Sequence, residues 1–72
     1  MTCSRFDRAT IRLGDSIRAK RESFALTQET VAFASTVSVR HYQKIEAGSG
    51  NPSFETLLLI AEALGCSIPD LF

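Results

Sequence analysis

Apolar residues recur along this chain at intervals of three and four, the spacing that places them on one face of an α-helix. In the first third of the sequence the pattern predicts helix one over about residues 8–23, with an inward face of Phe6, Ala9, Leu13 and Ile17. No alternating run is long enough to predict a strand, and there is no internal repeat or low-complexity tract. The pattern therefore predicts an all-α fold.

Capping residues divide the middle of the chain into two short helices joined by a tight turn. Thr27 can cap helix two, and after the turn Ser38 can cap helix three, which Gly48 ends. The side chains expected to point inward from these helices are Val31, Ala32, Tyr42 and Ile45. The segment from about 27 to 47 therefore has the form of a helix-turn-helix unit.

Two further helices are predicted in the last third of the chain. Ser53 can cap helix four, which Gly65 ends, and Ser67 can start a short helix five. The inward face of helix four is expected to hold Phe54, Leu57, Leu58, Ala61 and Leu64. Because 72 residues permit only one modest core, we expect a single domain over residues 1–72, built as a compact five-helix bundle.

Charge is unevenly distributed although the formal net charge is zero. All eight Lys and Arg side chains lie in residues 1–44 with four acids, which leaves +4, whereas residues 45–72 carry the other four acids. Since Lys and Arg neutralise phosphates in nucleic-acid complexes, the first part is the one suited to meet nucleic acid. Ordinary surface solvation is the alternative, because no run of consecutive basic residues stands out.

Helix three has a polar face with no role in the predicted core. With about 100° between successive residues, one side of the helix carries Val39, Arg40, Gln43 and Lys44. In the major groove, Arg suits guanine, Gln suits adenine, Val suits the thymine methyl group, and Lys suits guanine or phosphate. The alternative is that this face is only the solvated side of an amphipathic helix.

In order and spacing, these segments resemble the helix-turn-helix domains of lambdoid phage repressors, Cro proteins and Xre-like bacterial regulators. The carriers are LGDSIRAKR in helix one, TQE opening helix two, VSVRHYQKIEAG, NPSFETLLLIAEALG and the ending CSIPDLF, so the resemblance covers residues 13–72. It implies a lambda-repressor-like domain that acts as a sequence-specific transcriptional regulator, with helix three in the major groove of double-stranded DNA.

The resemblance also implies roles for single residues, and Gln28 matches the family glutamine at the start of helix two that typically braces the recognition helix. The base-reading positions are Val39, Arg40, Gln43 and Lys44, and the expected contacts to the DNA backbone are Gln28, Ser38, His41, Ser49 and Asn51. Arg21 of helix one and Glu46 near the end of helix three match a family pair, which we assign to structure.

Three positions depart from the family pattern. Ala25 and Thr36 stand where glycine is common, so each adds about 1 kcal/mol of strain if its φ is positive. Tyr42 takes an inward place often held by Ile or Val, and its hydroxyl needs a partner.

A homodimer is expected, because Xre-like domains commonly pair through their C-terminal helices. Leu59 stands where the family more often has a charged residue, and with Leu71 and Phe72 it is predicted to form a two-fold interface. The two half-sites would then lie about 34 Å apart on DNA. The alternative is one scattered exposed leucine and two core residues of the last helix.

Other functions find little support in the sequence. There is no Gly-rich phosphate loop or metal-spaced cluster, so we expect no enzyme, no cofactor and no small-molecule ligand. Cys3 and Cys66 are predicted to be free thiols, and with neither a membrane span nor a secretion signal found, a cytoplasmic, nucleoid-associated protein of bacterial or phage origin is expected. A protein-interaction module that keeps the fold without binding DNA remains the alternative, supported by the zero net charge.

Overall fold

The computed structural model describes the backbone of residues 5–72 and the side chains of residues 8–72. The described chain contains four α-helices and one 3₁₀ helix and has no strand, which confirms the all-α prediction. These elements are α1 (Arg5–Ser23), α2 (Gln28–Ala34), α3 (Val39–Glu46), α4 (Phe54–Leu64) and the 3₁₀ helix (Ile68–Leu71). The predicted fifth helix is thus a single four-residue turn, too short to build the i→i−4 bonds of an α-helix. Cys3 lies outside the described residues.

Three helices begin where a hydroxyl oxygen satisfies a free backbone N–H. In each case the side-chain oxygen accepts a hydrogen bond from the N–H three residues further on, and the capping residues are Thr27, Ser38 and Ser53. All three caps were predicted from the sequence. At the 3₁₀ helix the roles are reversed, because the Asp70 carboxylate accepts from the N–H of Ser67 at 3.0 Å and from its hydroxyl at 2.9 Å.

The turns on either side of α2 contain non-glycine residues in the left-handed conformation. Ala25 has a φ of 55° and Thr36 a φ of 58°, so the strain expected at both positions is present. Three hydrogen bonds of residues 36 and 37 hold the second turn. The Thr36 hydroxyl donates to the carbonyl of Ser35 at 2.6 Å, and the backbone N–H groups of Thr36 and Val37 donate to the carbonyls of Phe33 at 3.1 Å and Ala32 at 3.0 Å. The turn between α2 and α3 therefore forms without glycine.

The core lies between the helices, and the 3₁₀ helix, which packs against α1 and α4, covers one side of it. Its buried members are Leu13, Ile17, Val31, Ala32, Tyr42, Ile45, Leu57, Ile60, Ala61, Leu64 and Leu71. The inward positions predicted on α2 and α3 are all among them. Helices α2 and α3 therefore each bury one face in the core and expose the other face to solvent.

The buried face of α4 is rotated from the predicted one. Phe54 and Leu58 are exposed, whereas Ile60, which was not predicted, is fully buried. Because residues 57–61 are all apolar, the spacing of apolar residues cannot select one face there. On α1, Ala9 is exposed rather than inward, and the side chain of Phe6 lies outside the described ones.

The three residues predicted for a dimer interface differ in exposure. Leu71 is fully buried, so its assignment to a surface interface is wrong: the 3₁₀ helix packs against α1 and α4 and places this side chain in the core. Leu59 is half-buried, and Phe72 is exposed.

Gly14 allows the backbones of α1 and α3 to meet. A Cβ atom at this position would lie 2.5 Å from the carbonyl oxygen of Glu46 and 2.6 Å from that of Ile45. Only glycine fits this approach without a shift of one helix. The end of α3 is therefore seated directly on α1.

Candidate nucleic-acid interface

The outer face of α3 carries the predicted base-reading side chains. Arg40, Gln43 and Lys44 are exposed, while Val39 is half-buried and packs partly against the core. Residues 39 and 43, like 40 and 44, are one helical turn apart and therefore neighbours on the surface. The structure thus brings these four side chains together, with Val39 at the edge of the group.

The predicted phosphate contacts lie at the ends of the same helices. Gln28 is the first residue of α2 and is half-buried, whereas Ser38 and His41 are exposed at the start of α3. Ser38 is also engaged as a cap, since its oxygen accepts from the N–H of His41 at 3.1 Å.

The loop after α3 holds the last two predicted contacts. The hydroxyl of Ser49 donates to the carbonyl of Lys44 at 3.3 Å, which keeps Ser49 next to the base-reading face. Asn51 is exposed and lines a shallow, mainly apolar cleft of about 170 Å³ together with Pro52 and Phe72. Asn51 therefore borders the chain terminus as well as the loop.

An ion pair ties α3 to the rest of the domain. The Nε of Arg21 donates to Oε2 of Glu46 at 2.6 Å and its Nη2 donates to Oε1 at 3.2 Å, with the two side chains 13% and 4% exposed. The remaining Nη1 donates to the carbonyl of Leu26 at 2.8 Å. Such a two-point contact fixes orientation as well as distance. Arg21 therefore connects α1 to both the end of α3 and the segment before α2 through hydrogen bonds.

The surroundings of Glu46 keep this pair charged. Burial by itself raises the pKa of the Glu46 carboxyl, but the hydrogen bonds and charge of Arg21, together with the neighbouring Tyr42 hydroxyl and the Gln28 amide, outweigh it and hold the pKa below its usual value. The same hydrogen bond with Glu46 raises the pKa of Arg21.

Tyr42 is buried beside this pair. Burial raises the pKa of its phenol, and the neighbouring Glu46 carboxylate raises it further. Among the described residues no partner meets the Tyr42 hydroxyl in hydrogen-bonding geometry, so the expected partner is not found.

Two amide side chains extend the ion pair to the surface. The resemblance implied that Gln28 braces helix three, whereas sequence reasoning missed which side chains of that helix it contacts. The Nε2 of Gln28 donates to Oε1 of Glu46 at 3.1 Å, and the Nε2 of Gln43 donates to Oε1 of Gln28 at 3.2 Å. The available signal was the spacing of Gln43 and Glu46, which are three residues apart on α3 and therefore side by side. The first residue of α2 thus bridges a buried and an exposed position of α3.

The described part of the chain contains no cluster of three or more His, Cys, Asp or Glu side chains that could hold a metal ion. Cys66 is a free thiol, and burial raises its pKa. None of the described helices combines the length and the apolar character needed to cross a membrane.

Comparison with known proteins gives consistent relatives. A helix-turn-helix family model matches residues 17–71. Among curated proteins, the chain is 33% identical over 61 residues to the transcriptional repressor RstR of the cryptic phage CTXphi from Vibrio cholerae, and equally to the regulator DdrOP3 from Deinococcus deserti. These matches cover 85% of this chain but 54% and 47% of the relatives, so the chain spans about half their length.

Solved structures show the same arrangement of helices. The restriction-modification controller protein C.AhdI from Aeromonas hydrophila matches with a TM-score of 0.87 at 31% identity, over 90% of this chain and 98% of that one. The clp gene regulator ClgR from Corynebacterium glutamicum matches with a TM-score of 0.84 at 32% identity, over 86% of this chain and 66% of that one.

Proposed function

Because the chain belongs to the helix-turn-helix family, we propose that it is a sequence-specific transcriptional regulator that binds double-stranded DNA with α3 in the major groove. The exposed face of α3 carries this proposal: Arg40, Gln43 and Lys44 project outward from a helix whose other side is fixed to α1. The names of the similar proteins, a transcriptional repressor and regulators, support the same function.

In this function the α3 side chains divide the reading of bases. Arg40 donates two hydrogen bonds to guanine, Gln43 pairs with adenine, and Val39 contacts a thymine methyl group. Lys44 binds guanine or phosphate. The contacts to the DNA backbone come from the surrounding side chains Gln28, Ser38, His41, Ser49 and Asn51.

The zero net charge is compatible with this binding because of where the charges lie. The acid within α3 itself, Glu46, is buried and paired with Arg21, so its charge is already compensated. Arg18 lines the same polar depression as Gln28 and Gln43 and places a cation beside α3, in an exposed ion pair with Glu22 at 3.5 Å. The side of the domain around α3 is thus the one suited to phosphate.

A homodimer on two half-sites completes the proposal. With Leu71 in the core, the two-fold contact would involve Leu59 and Phe72. A cytoplasmic, nucleoid-associated protein of bacterial or phage origin fits this role. Sedimentation at high micromolar concentration, with and without operator DNA, is expected to show the dimer, and a monomer under both conditions would end this part of the proposal.

Selection of bound sequences from a random duplex library tests the function. The protein is expected to enrich a pseudo-palindromic motif, and Arg40→Ala is expected to lose the preference at one base pair per half-site, worth about 1–3 kcal/mol. Lys20→Ala, which removes one positive charge from α1, should keep the motif. If no motif and no duplex binding are found, the fold serves as a protein-interaction module instead.

A further inference from the structure

An exposed cation of α1 lies at the edge of the base-reading face. It is Arg18, which shares a polar depression of about 240 Å³ with residues of α2 and α3 and the residue after α3, namely Gln28, Gln43, Glu46 and Ala47. The Arg18 side chain is 61% exposed, whereas the carboxylate of Glu46 is buried and paired with Arg21. Arg18 therefore supplies the solvent-facing charge of this depression.

The width of the major groove determines what a cation in this position meets. An α-helix with its side chains is about 10–12 Å across, and the major groove is about 12 Å wide. When α3 lies in the groove, the two sugar-phosphate strands therefore run along its flanks. Because Arg18 lies beside the exposed Gln43, it is on the flank of α3 that faces α1. A phosphate group on that flank would come next to the guanidinium.

In the free protein the guanidinium of Arg18 already has a carboxylate beside it. Its Nε lies 3.5 Å from Oε2 of Glu22, one turn further along α1, and the Glu22 side chain is 58% exposed. The same Oε2 atom lies 4.0 Å from Nη2 of Arg21, whose main partner is Glu46. An ion pair this open to solvent contributes little to stability, so Arg18 can leave Glu22 without disturbing the fold.

A DNA phosphate is a better partner for Arg18 than Glu22 is. The fork of N–H donors on a guanidinium can bind two phosphate oxygens at once. At 3.5 Å, the contact with Glu22 is longer than a charge-assisted hydrogen bond, which measures about 2.7–2.9 Å. Binding to phosphate also releases a cation condensed on the DNA, which favours the complex further.

We propose that Arg18 exchanges partners when the protein binds DNA: it leaves Glu22 and binds a backbone phosphate on the α1 side of α3. Glu22 then acts as an internal competitor that lowers the affinity of the domain for DNA. The inference rests on the proposed function, because it takes α3 to lie in the major groove. The contact adds affinity without base preference, since a phosphate carries no sequence information.

The salt dependence of duplex binding tests the phosphate contact. Arg18→Ala is expected to weaken binding of the selected duplex by roughly 5- to 50-fold at low salt. The slope of log association constant against log salt concentration should become shallower by about 0.9, the share of one phosphate. Lys20→Ala is the matched control, because it removes one charge from α1 at a separate depression that Lys20 shares with Asp70. An unchanged slope in Arg18→Ala, or an equal change in Lys20→Ala, overturns the contact.

Base selection separates this contact from base reading. Arg18→Ala should enrich the same motif as the wild type, whereas Arg40→Ala should lose the preference at one base pair per half-site. Loss of a base preference in Arg18→Ala would contradict the assignment to phosphate. Because Arg18 is largely exposed, its urea midpoint should match the wild type, which separates lost binding from lost folding.

A double-mutant cycle tests the competition by Glu22. Glu22→Gln keeps the size of the side chain and removes its charge, and it is expected to bind the duplex roughly two- to fivefold more tightly than the wild type. The gain should shrink when Arg18→Ala is added, because the competitor then has no cation to hold. Glu62→Gln, at an exposed acid of α4, is the control and should show no gain.

The outcomes of this cycle distinguish the exchange from the proposed function. No gain in Glu22→Gln, or a gain of equal size with and without Arg18, contradicts the exchange, because the second result means that Glu22 repels DNA directly. If the wild type binds duplex DNA and the Arg18 and Glu22 variants match it, the exchange alone fails. If no protein of the set binds duplex DNA, the proposed function fails and the exchange fails with it.

Discussion

Glu46 is the residue on which the contacts of α3 converge. Its carboxylate accepts from Arg21 and Gln28, and it lies beside the buried Tyr42. A buried charge is tolerated only while its partners remain, because an uncompensated ion in the interior loses its hydration without replacement. The position of α3 in the domain and the stability of the domain therefore depend on the same side chain.

Glu46→Ala is expected to lower the free energy of unfolding by about 3–5 kcal/mol, since it leaves the Arg21 guanidinium buried without its partner. A domain of this length has a total stability of only about 4–11 kcal/mol. Urea denaturation measures the loss. Glu62→Ala removes an exposed acid of α4 and should change the stability by less than about 0.5 kcal/mol. Equal urea midpoints for Glu46→Ala and the wild type would contradict the account.

Stability is expected to fall in acid because of the same carboxylate. The pKa of Glu46 is lowered in the folded state, so its contribution is present above the ordinary value of 4.5 and is lost as the pH falls through the folded pKa. Urea midpoints measured from pH 7 to about pH 3 should therefore decline more steeply for the wild type than for Glu46→Gln, which has no charge to protonate. Parallel curves would exclude Glu46 as a source of the acid sensitivity.

Some of these side-chain contacts could be predicted from the sequence and others could not. The Arg21–Glu46 pair was expected because a family resemblance connects positions 25 apart, and the structure places the two side chains 2.6 Å apart. The same resemblance implied that Gln28 braces α3, but it did not identify Gln43 as a partner, because that contact depends on how α2 crosses α3. The unpaired hydroxyl of Tyr42 likewise depends on packing that no sequence spacing reveals.

At the scale of elements, the turns at both ends of α2 are strained, because each holds a non-glycine residue with a positive φ. Ala25→Gly is expected to raise the free energy of unfolding by up to about 1 kcal/mol, because glycine adopts the φ of 55° without a Cβ clash. Thermal unfolding measures the gain. Ala19→Gly, the same substitution inside α1, should instead lose about 0.5–1 kcal/mol. A lower melting temperature for Ala25→Gly would show that the turn carries no such strain.

Gly14→Ala is expected to disrupt the close packing of α3 against α1. The added methyl group would meet two carbonyl oxygens of α3 at 2.5 and 2.6 Å, so α3 must shift, at about 1–3 kcal/mol of stability. Fluorescence titration with the selected duplex should show weaker binding as well. Gly65→Ala is the control, since its φ of 70° strains the backbone but its Cβ would meet no atom within 4 Å. Full affinity in Gly14→Ala would contradict the role of this seating.

The elements differ in how far the sequence determines them. The caps at Thr27, Ser38 and Ser53 were predicted correctly because a cap needs only a hydroxyl three residues before its N–H. The face of α4 was not, because an uninterrupted apolar run contains no polar residue to mark the outside. The short last helix was predicted, but its 3₁₀ type was not, because the same capping pattern starts both kinds of helix.

At the scale of the whole molecule, binding depends on how the charges are arranged around α3. All Lys and Arg residues belong to the first 44 positions, and the acids that follow Glu46 lie on α4, in its first and last turns, and on the 3₁₀ helix. The domain is thus neutral in total but polarised. Since phosphate contacts act through local cations, affinity should follow the cations near α3 and not the net charge.

The central claim, that α3 binds DNA through its outer face, is tested most directly by the salt dependence of duplex binding. For the wild type, the logarithm of the association constant is expected to fall linearly with the logarithm of salt concentration, with a slope of about −0.9 for each phosphate contacted. Arg40→Ala should bind the selected duplex more weakly at every salt concentration, while Lys20→Ala should match the wild type. Binding that is absent, independent of salt, or unchanged in Arg40→Ala would contradict the claim.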